Sequence, residues 1–171
     1  MNFVSLQFLI SRAAPMLQPD LKFASAEALL LAIASNESSL GLNTAPRIEK
    51  VYDVGGKYCT FEQKVCIDKY GYKAAASYGI FQILYATACD LGFDNKPWNR
   101  PPEELAIPEV NIFYAIEYIK KRCLQKGAKT IELIFDAYNS GNCLDQSKPV
   151  DYIRNGTIAY NKYNKVDYVG V

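Results

Sequence analysis

The chain contains no histidine. That absence removes His-ligated zinc, the Ser-His-Asp and Cys-His nucleophiles, and acid–base work by imidazole. An enzyme made from this sequence has to rely on carboxylates. An excess of one charge is missing too: 19 Lys and Arg face 18 Asp and Glu, a formal net charge of +1, which argues against a dedicated nucleic-acid binder. Cysteine is sparse. Cys59, Cys66, Cys89, Cys123 and Cys143 contain no CxxC, so no metal site is expected and the thiols read as reduced and mostly buried. Only Cys59 and Cys66 are close enough in sequence to suggest a local disulfide, and both states stay open. Long hydrophobic runs are also lacking. The apolar stretch from Phe3 to Ile10 is interrupted by Ser5 and Gln7 and has no basic residue before it. It is a poor signal peptide and too short to span a membrane, and it reads as a first amphipathic helix.

What is present is the balance of an ordinary globular protein, 50% hydrophobic and 22% charged over 171 residues. No repeat, low-complexity tract or linker divides it, so the expectation is one domain over residues 1–171. Helical signals dominate. A second helix is predicted from Ser25 through LLLAIASN, apolar on nearly all sides and therefore central to the core. From about Gly41 to Gly71, glycines and Pro46 punctuate tyrosines and charges without a sustained period, which reads as a long irregular lobe with at most a short hairpin. A third helix is predicted after Gly79 through IFQILYATACDL, stopped by Gly92. PWNRPP reads as a rigid connector. Pro108 and Glu109 open the next helix, with Ile112, Ile116, Ile119 and Cys123 on one face and Gly127 at its end. KTIELIFDAY forms another, closing at Asn139 and Gly141. The tail from Val150 to Val166 reads as partly helical, with Asn155 and Gly156 as an internal break. The fold class is mainly α, α+β at most.

Three placements bear on chemistry. Glu37 follows Leu30 by seven residues, Ile33 by four and Ala34 by three, so it extends the buried stripe of its helix. A carboxyl in apolar surroundings shifts from about 4.3 towards roughly 6, a useful range for a general acid in glycoside cleavage. The other reading places Glu37 past the helix end, solvated or paired with Arg47. Gln82 is the lone amide among Ile80, Phe81, Ile83, Leu84 and Tyr85, and it either holds loop backbone or meets a ligand. Tyr138 shares the inner face of its helix with Ile131, Ile134 and Phe135. Its hydroxyl needs a partner, which is either the core or a carboxyl such as that of Glu37.

Taken together, the text around these residues resembles the lysozyme-like lytic transglycosylases. LLLAIASNESSL is similar to the helix that ends in that family's Glu-Ser pair, here Glu37 and Ser38. ASYGIFQILYATACDLGF is similar to its small-Gly-x-x-Gln segment, here Gly79 and Gln82, followed by Thr87, Ala88 and Gly92. FDAYNSG matches its Ala-Tyr-Asn-x-Gly element, here Ala137, Tyr138, Asn139 and Gly141. Arg47-Ile-Glu49 with Tyr52, and PEVNIFYAIEYI, are weaker matches, and the whole resemblance spans about residues 25–166. Three departures stand out: a long interval between Glu37 and Gly79, Ile80-Phe81 in place of an aliphatic-Met pair, and Ser140 in place of alanine.

The resemblance implies a goose-type lysozyme-like fold with a cleft between lobes, and cleavage of the β-1,4 bond between MurNAc and GlcNAc in peptidoglycan glycan strands. Glu37 is then the acid/base and Tyr138 its hydrogen-bond partner. Gln82 and Asn139 contact or orient the sugar, and Ser38 and Gly79 belong to the binding surface. No cofactor or metal is implied and no nucleic acid is expected as a partner. The isolated domain is expected to be a monomer acting at the bacterial wall, delivered there by a virion, a holin or a secretion machine. Two other functions stay open. One is a hydrolytic muramidase with Glu49, Asp53 or Asp68 as a second carboxylate. The other is a non-catalytic wall-binding or structural domain of a phage tail or secretion apparatus.

Overall fold

A computed structural model describes residues 2–94, 99–141 and 150–165 of the chain. Part of the PWNRPP connector and Cys143 lie outside the described residues. Within them are seven α-helices and a small three-stranded sheet: α1 Phe3–Ala13, α2 Ala26–Ser38, β1 Arg47–Ile48, α3 Phe61–Tyr70, β2 Ala76–Tyr78, β3 Ile83–Leu84, α4 Tyr85–Asp90, α5 Pro108–Tyr118, α6 Ile131–Ser140 and α7 Val150–Asn164. The fold is mainly α with a small sheet, as expected. Packing gathers it into two units, one built from the chain up to Leu42 and from Ile116 onward, the other from Asn43–Ala115.

The first unit is organised around α2. Ser25 caps it, its side chain accepting from the Ala28 amide at 3.3 Å, and Glu27 sits in the first turn where the helix dipole favours a negative charge. Leu29, Leu30, Ala32, Ile33 and Ala34 are all fully buried, so the helix is enclosed on every side. Each buried leucine or isoleucine contributes about 1.5–3 kcal/mol relative to exposure. The C-terminal end is held in a left-handed turn, with φ of 50° at Ser39, 60° at Leu40 and 82° at Gly41. There the Leu40 amide reaches back to the Ala34 carbonyl at 3.0 Å and closes carbonyls that the helix leaves open.

Helix α7 is continuous from Val150 to Asn164, so the expected break at Asn155 and Gly156 does not occur. The glycine serves packing instead. A Cβ added at Gly156 would lie 2.7–2.8 Å from ring atoms of Phe135 on α6, so only a glycine admits that close approach. Tyr152, Gly156 and Tyr160, four residues apart, form one stripe of the helix. At one end of it the Tyr160 hydroxyl accepts from the Ser25 amide, at 3.0 Å, beside the start of α2.

In the second unit the sheet runs β1-β2-β3, antiparallel throughout, with Arg47 opposite Ser77, Ile48 opposite Ala76, Ser77 opposite Leu84 and Tyr78 opposite Ile83. Two expectations are corrected here. The irregular lobe contains α3, capped by Thr60, whose hydroxyl accepts from the Gln63 amide at 3.2 Å. Thr60-Phe-Glu-Gln63 is a capping-box pattern, obscured by the mixed polarity of the helix that follows. The third helix starts only at Tyr85, because residues 79–84 form the loop and returning strand of a hairpin. Gly79 (φ 74°) and Gln82 (φ 47°) both have left-handed backbone, which no α-helix can contain. The apolar run there satisfies a buried hairpin as well as a buried helix, and periodicity alone does not separate them. Gly92 does end α4, and Ile112, Ile116, Ile119 and Cys123 are buried as expected.

Candidate active site

In the first unit, Glu37 stands in the last turn of α2 and is half-buried. The Tyr152 hydroxyl of α7 donates to Glu37 Oε1 at 2.6 Å, a short bond of the charge-assisted kind. Asn36 beside it donates from Nδ2 to the Tyr152 carbonyl at 2.9 Å, so the same turn of α2 grips both the side chain and the backbone of that tyrosine. The Phe135 ring packs edge-on to Tyr152 with centroids 6.3 Å apart. Tyr138 of α6 is half-buried and meets Tyr118 edge-on at 5.1 Å.

Burial, together with the negative charge of Glu37, holds the phenols of Tyr138 and Tyr152 well above their ordinary value of 10. Both remain neutral O–H donors over the physiological range. The sequence put Tyr138 at the glutamate. The structure sets Tyr138 where it feels that charge and brings the Tyr152 hydroxyl onto the carboxylate itself. Tyr152 was missed, although the i, i+4, i+8 spacing of Tyr152, Gly156 and Tyr160 was a readable signal of a helix face turned inward.

Ser38 is buried, and its hydroxyl is engaged twice by the fold, donating to the Ala34 carbonyl at 3.1 Å and accepting from the Gly41 amide at 2.9 Å. It secures the turn that follows Glu37. Asn139 is exposed near the end of α6, where Gly141 (φ 76°) closes the helix through its amide to the Ala137 carbonyl at 2.9 Å.

In the second unit, Gln82 is almost fully buried in the hairpin loop. Its Nε2 donates to the Gly79 carbonyl at 2.9 Å and approaches the Ala45 carbonyl at 3.5 Å. Of the carboxylates considered as a second catalytic group, Glu49 is paired with Arg47 at 2.7 Å and accepts from the Ser77 hydroxyl at 3.3 Å. Asp53 accepts from the Val54 amide at 2.8 Å, and Asp68 is exposed on α3.

Among the described residues no group of three or more Cys, Asp or Glu side chains is placed to hold a metal ion, and no helix is long and apolar enough to cross a membrane. Among the described residues no disulfide joins Cys59, Cys66, Cys89 or Cys123, and burial pushes Cys66 up to about 11 and Cys89 up to about 12.

Residues 15–149 match the family model described as Transglycosylase SLT domain, a span that takes in Glu37, Ser38, Gly79, Gln82, Tyr138 and Asn139. The chain belongs to this family, the lysozyme-like lytic transglycosylases that act on peptidoglycan. Comparison with curated proteins and with solved structures gave no match. Tyr152 lies just beyond the matched span.

Proposed function

We propose that the protein cleaves the β-1,4 bond between MurNAc and GlcNAc by intramolecular transglycosylation, with Glu37 as its single acid and base. Protonated Glu37 gives its proton to the glycosidic oxygen, and the C1–O bond breaks towards an oxocarbenium-like state. The carboxylate so formed is stabilised by the Tyr152 hydroxyl and then takes the proton of the MurNAc C6 hydroxyl as that oxygen closes onto C1. The proton balance is complete with one side chain and no added water. Gln82 and Asn139 orient the sugar, and among the described residues no hydrogen bond reaches Gln82 Oε1, which suits an acceptor facing hydroxyl or acetamido groups. Gly79 shapes the loop carrying Gln82. Tyr138 supports the glutamate alongside Tyr152, and Ser38 fixes the turn that follows it.

The observation carrying this reading is the 2.6 Å bond from Tyr152 to Glu37 Oε1, because a purely wall-binding domain has no use for a half-buried carboxylate held by a neutral donor. The engagement of Glu49 by Arg47 and Ser77 supports the single-acid route over a hydrolytic one. The test is mass spectrometry of muropeptides released from purified sacculi in 18O-labelled water. Products ending in 1,6-anhydroMurNAc, one water lighter than hydrolysis products and free of label, are expected. Reducing ends carrying the label overturn the mechanism.

A further inference from the structure

The loop that carries Gln82 has an unusual support. Asn111 of α5 is completely buried, at 0% exposure, on a helix face it shares with Ile112 and Ala115. An amide in that position must be hydrogen-bonded, and both of its ends are spent on the hairpin backbone. Its Nδ2 donates to the Tyr78 carbonyl at 2.8 Å and its Oδ1 accepts from the Phe81 amide at 2.7 Å. Tyr78 and Phe81 are themselves buried, so Asn111 supplies hydrogen bonds to a carbonyl and an amide that lie away from water.

The amide also sets the shape of the loop. A Cβ placed on Gly79 would fall 2.6–2.8 Å from Cγ, Nδ2 and Oδ1 of Asn111, so the side chain lies directly against the glycine. Gly79 is left-handed at φ 74°, and so is Gln82 at φ 47°, a conformation that strains a residue bearing a side chain and persists only where its surroundings enforce it. The loop also closes on itself, the Gln82 backbone amide and side-chain Nε2 reaching the Gly79 carbonyl at 3.3 Å and 2.9 Å. The two Asn111 bonds are shorter and span the residues between.

We propose that Asn111 is a positioning residue for the reaction, clamping the Tyr78–Phe81 backbone so that Gln82 is held in its left-handed conformation and presented to the glycan in one orientation. Asn111 acts through Gln82 and does not touch the sugar. The inference rests on the reading of Gln82 as a sugar-orienting residue.

The test is a double-mutant cycle on release of anhydro-muropeptides from sacculi, with thermal melts of every variant. Asn111→Leu removes both hydrogen bonds at similar volume. Asn111→Ser stays polar and uncharged but is too short to bridge Tyr78 and Phe81, and it replaces the leucine variant if that one does not fold. In the wild-type background either change is expected to lower kcat/KM about tenfold, the order of a lost buried hydrogen-bond pair. In the Gln82→Ala background the same change is expected to cost less than about twofold, because the group being positioned is gone. An equal loss in both backgrounds, tracking the fall in melting temperature, assigns Asn111 to stability alone and overturns the proposal. Wild-type kcat/KM for Gln82→Ala itself overturns the prior reading of Gln82. That outcome is distinguishable because it appears before Asn111 is touched.

Discussion

The two units support their candidate residues in opposite ways. In the first, the side chain of Glu37 is met by another side chain, the Tyr152 hydroxyl, brought from 115 residues away on a regular helix packed through Gly156. In the second, Gln82 is held through its backbone, by a strained four-residue loop over residues 79–82 that Asn111 fastens from below. The first arrangement sets the electrostatics of one proton-carrying group. The second sets the direction of one amide. Lesions in the first unit should therefore strike the chemical step, and lesions in the second should strike the fit of the sugar.

Glu37→Gln is expected to have the largest effect. With both proton transfers routed through one carboxyl, turnover should fall about a thousandfold or more while the melt stays near that of wild type. Gln82→Ala should cost roughly tenfold, mainly in KM. A glutamine variant retaining a third of the wild-type rate would reverse the comparison and remove Glu37 from the site.

Tyr152→Phe comes next. Losing a charge-assisted bond to the carboxylate is expected to slow kcat about tenfold or more. The alkaline limb of the pH–rate profile should move to higher pH, since the lost donor favoured the ionised form. An unmoved limb would mean that Tyr152 only fills space.

Gly156→Ala tests the packing that brings Tyr152 into place. A methyl group in contact with the Phe135 ring should destabilise the protein by about 1–3 kcal/mol, read from denaturant melts. Activity should fall further than the melt explains if Tyr152 is displaced along with the helix.

Alkali offers a gentler probe. Tyr138 and Tyr152 keep their protons in the folded state well above 10, whereas the unfolded chain releases them from about pH 10 upward. Their contribution to stability is therefore complete below about pH 10 and declines as the pH rises beyond it. Tyr152→Phe should flatten that decline in pH-dependent melts.

The smallest expected effect is none. Exhaustive chelation should leave the rate of wall clearing unchanged, because the chain has no histidine and the proposed route stabilises charge without a Lewis acid. Activity lost to chelator and restored by zinc or calcium would require a different site.

The sequence was most informative where residue identity and period agree. Helix α2 was legible because an uninterrupted apolar run of that length can only be buried, and the cap at Ser25 marked its start. The hairpin at Gly79 was not legible as such. Its short apolar segments fit either period, and the deciding contacts come from Asn111, 30 residues from Phe81 in the chain. Gly156 misled for a related reason. A glycine in a helix reads as a weak point until the neighbouring ring that requires it is known. Helix α3 was hidden by its polarity, although the pattern at Thr60 and Gln63 announced it. Of the candidate site, Glu37, Gln82 and Tyr138 could be singled out from local context, whereas Tyr152 depends on which helix packs against the last turn of α2.

The long separation between Glu37 and Tyr152 also bears on how the protein is made. Helix α2 leaves the ribosome with an apolar surface on every side, and the stripe that meets it at Ser25 and Glu37 is encoded 135 and 115 residues later. At roughly 5–20 residues per second, the delay is on the order of 6–25 s. For that interval the nascent core is exposed to aggregation and to chaperones, and the glutamate has no tyrosine. A ribosome stalled after Gly141 and before Tyr152 therefore yields a chain that carries the family's sequence motifs without the tyrosine that holds Glu37.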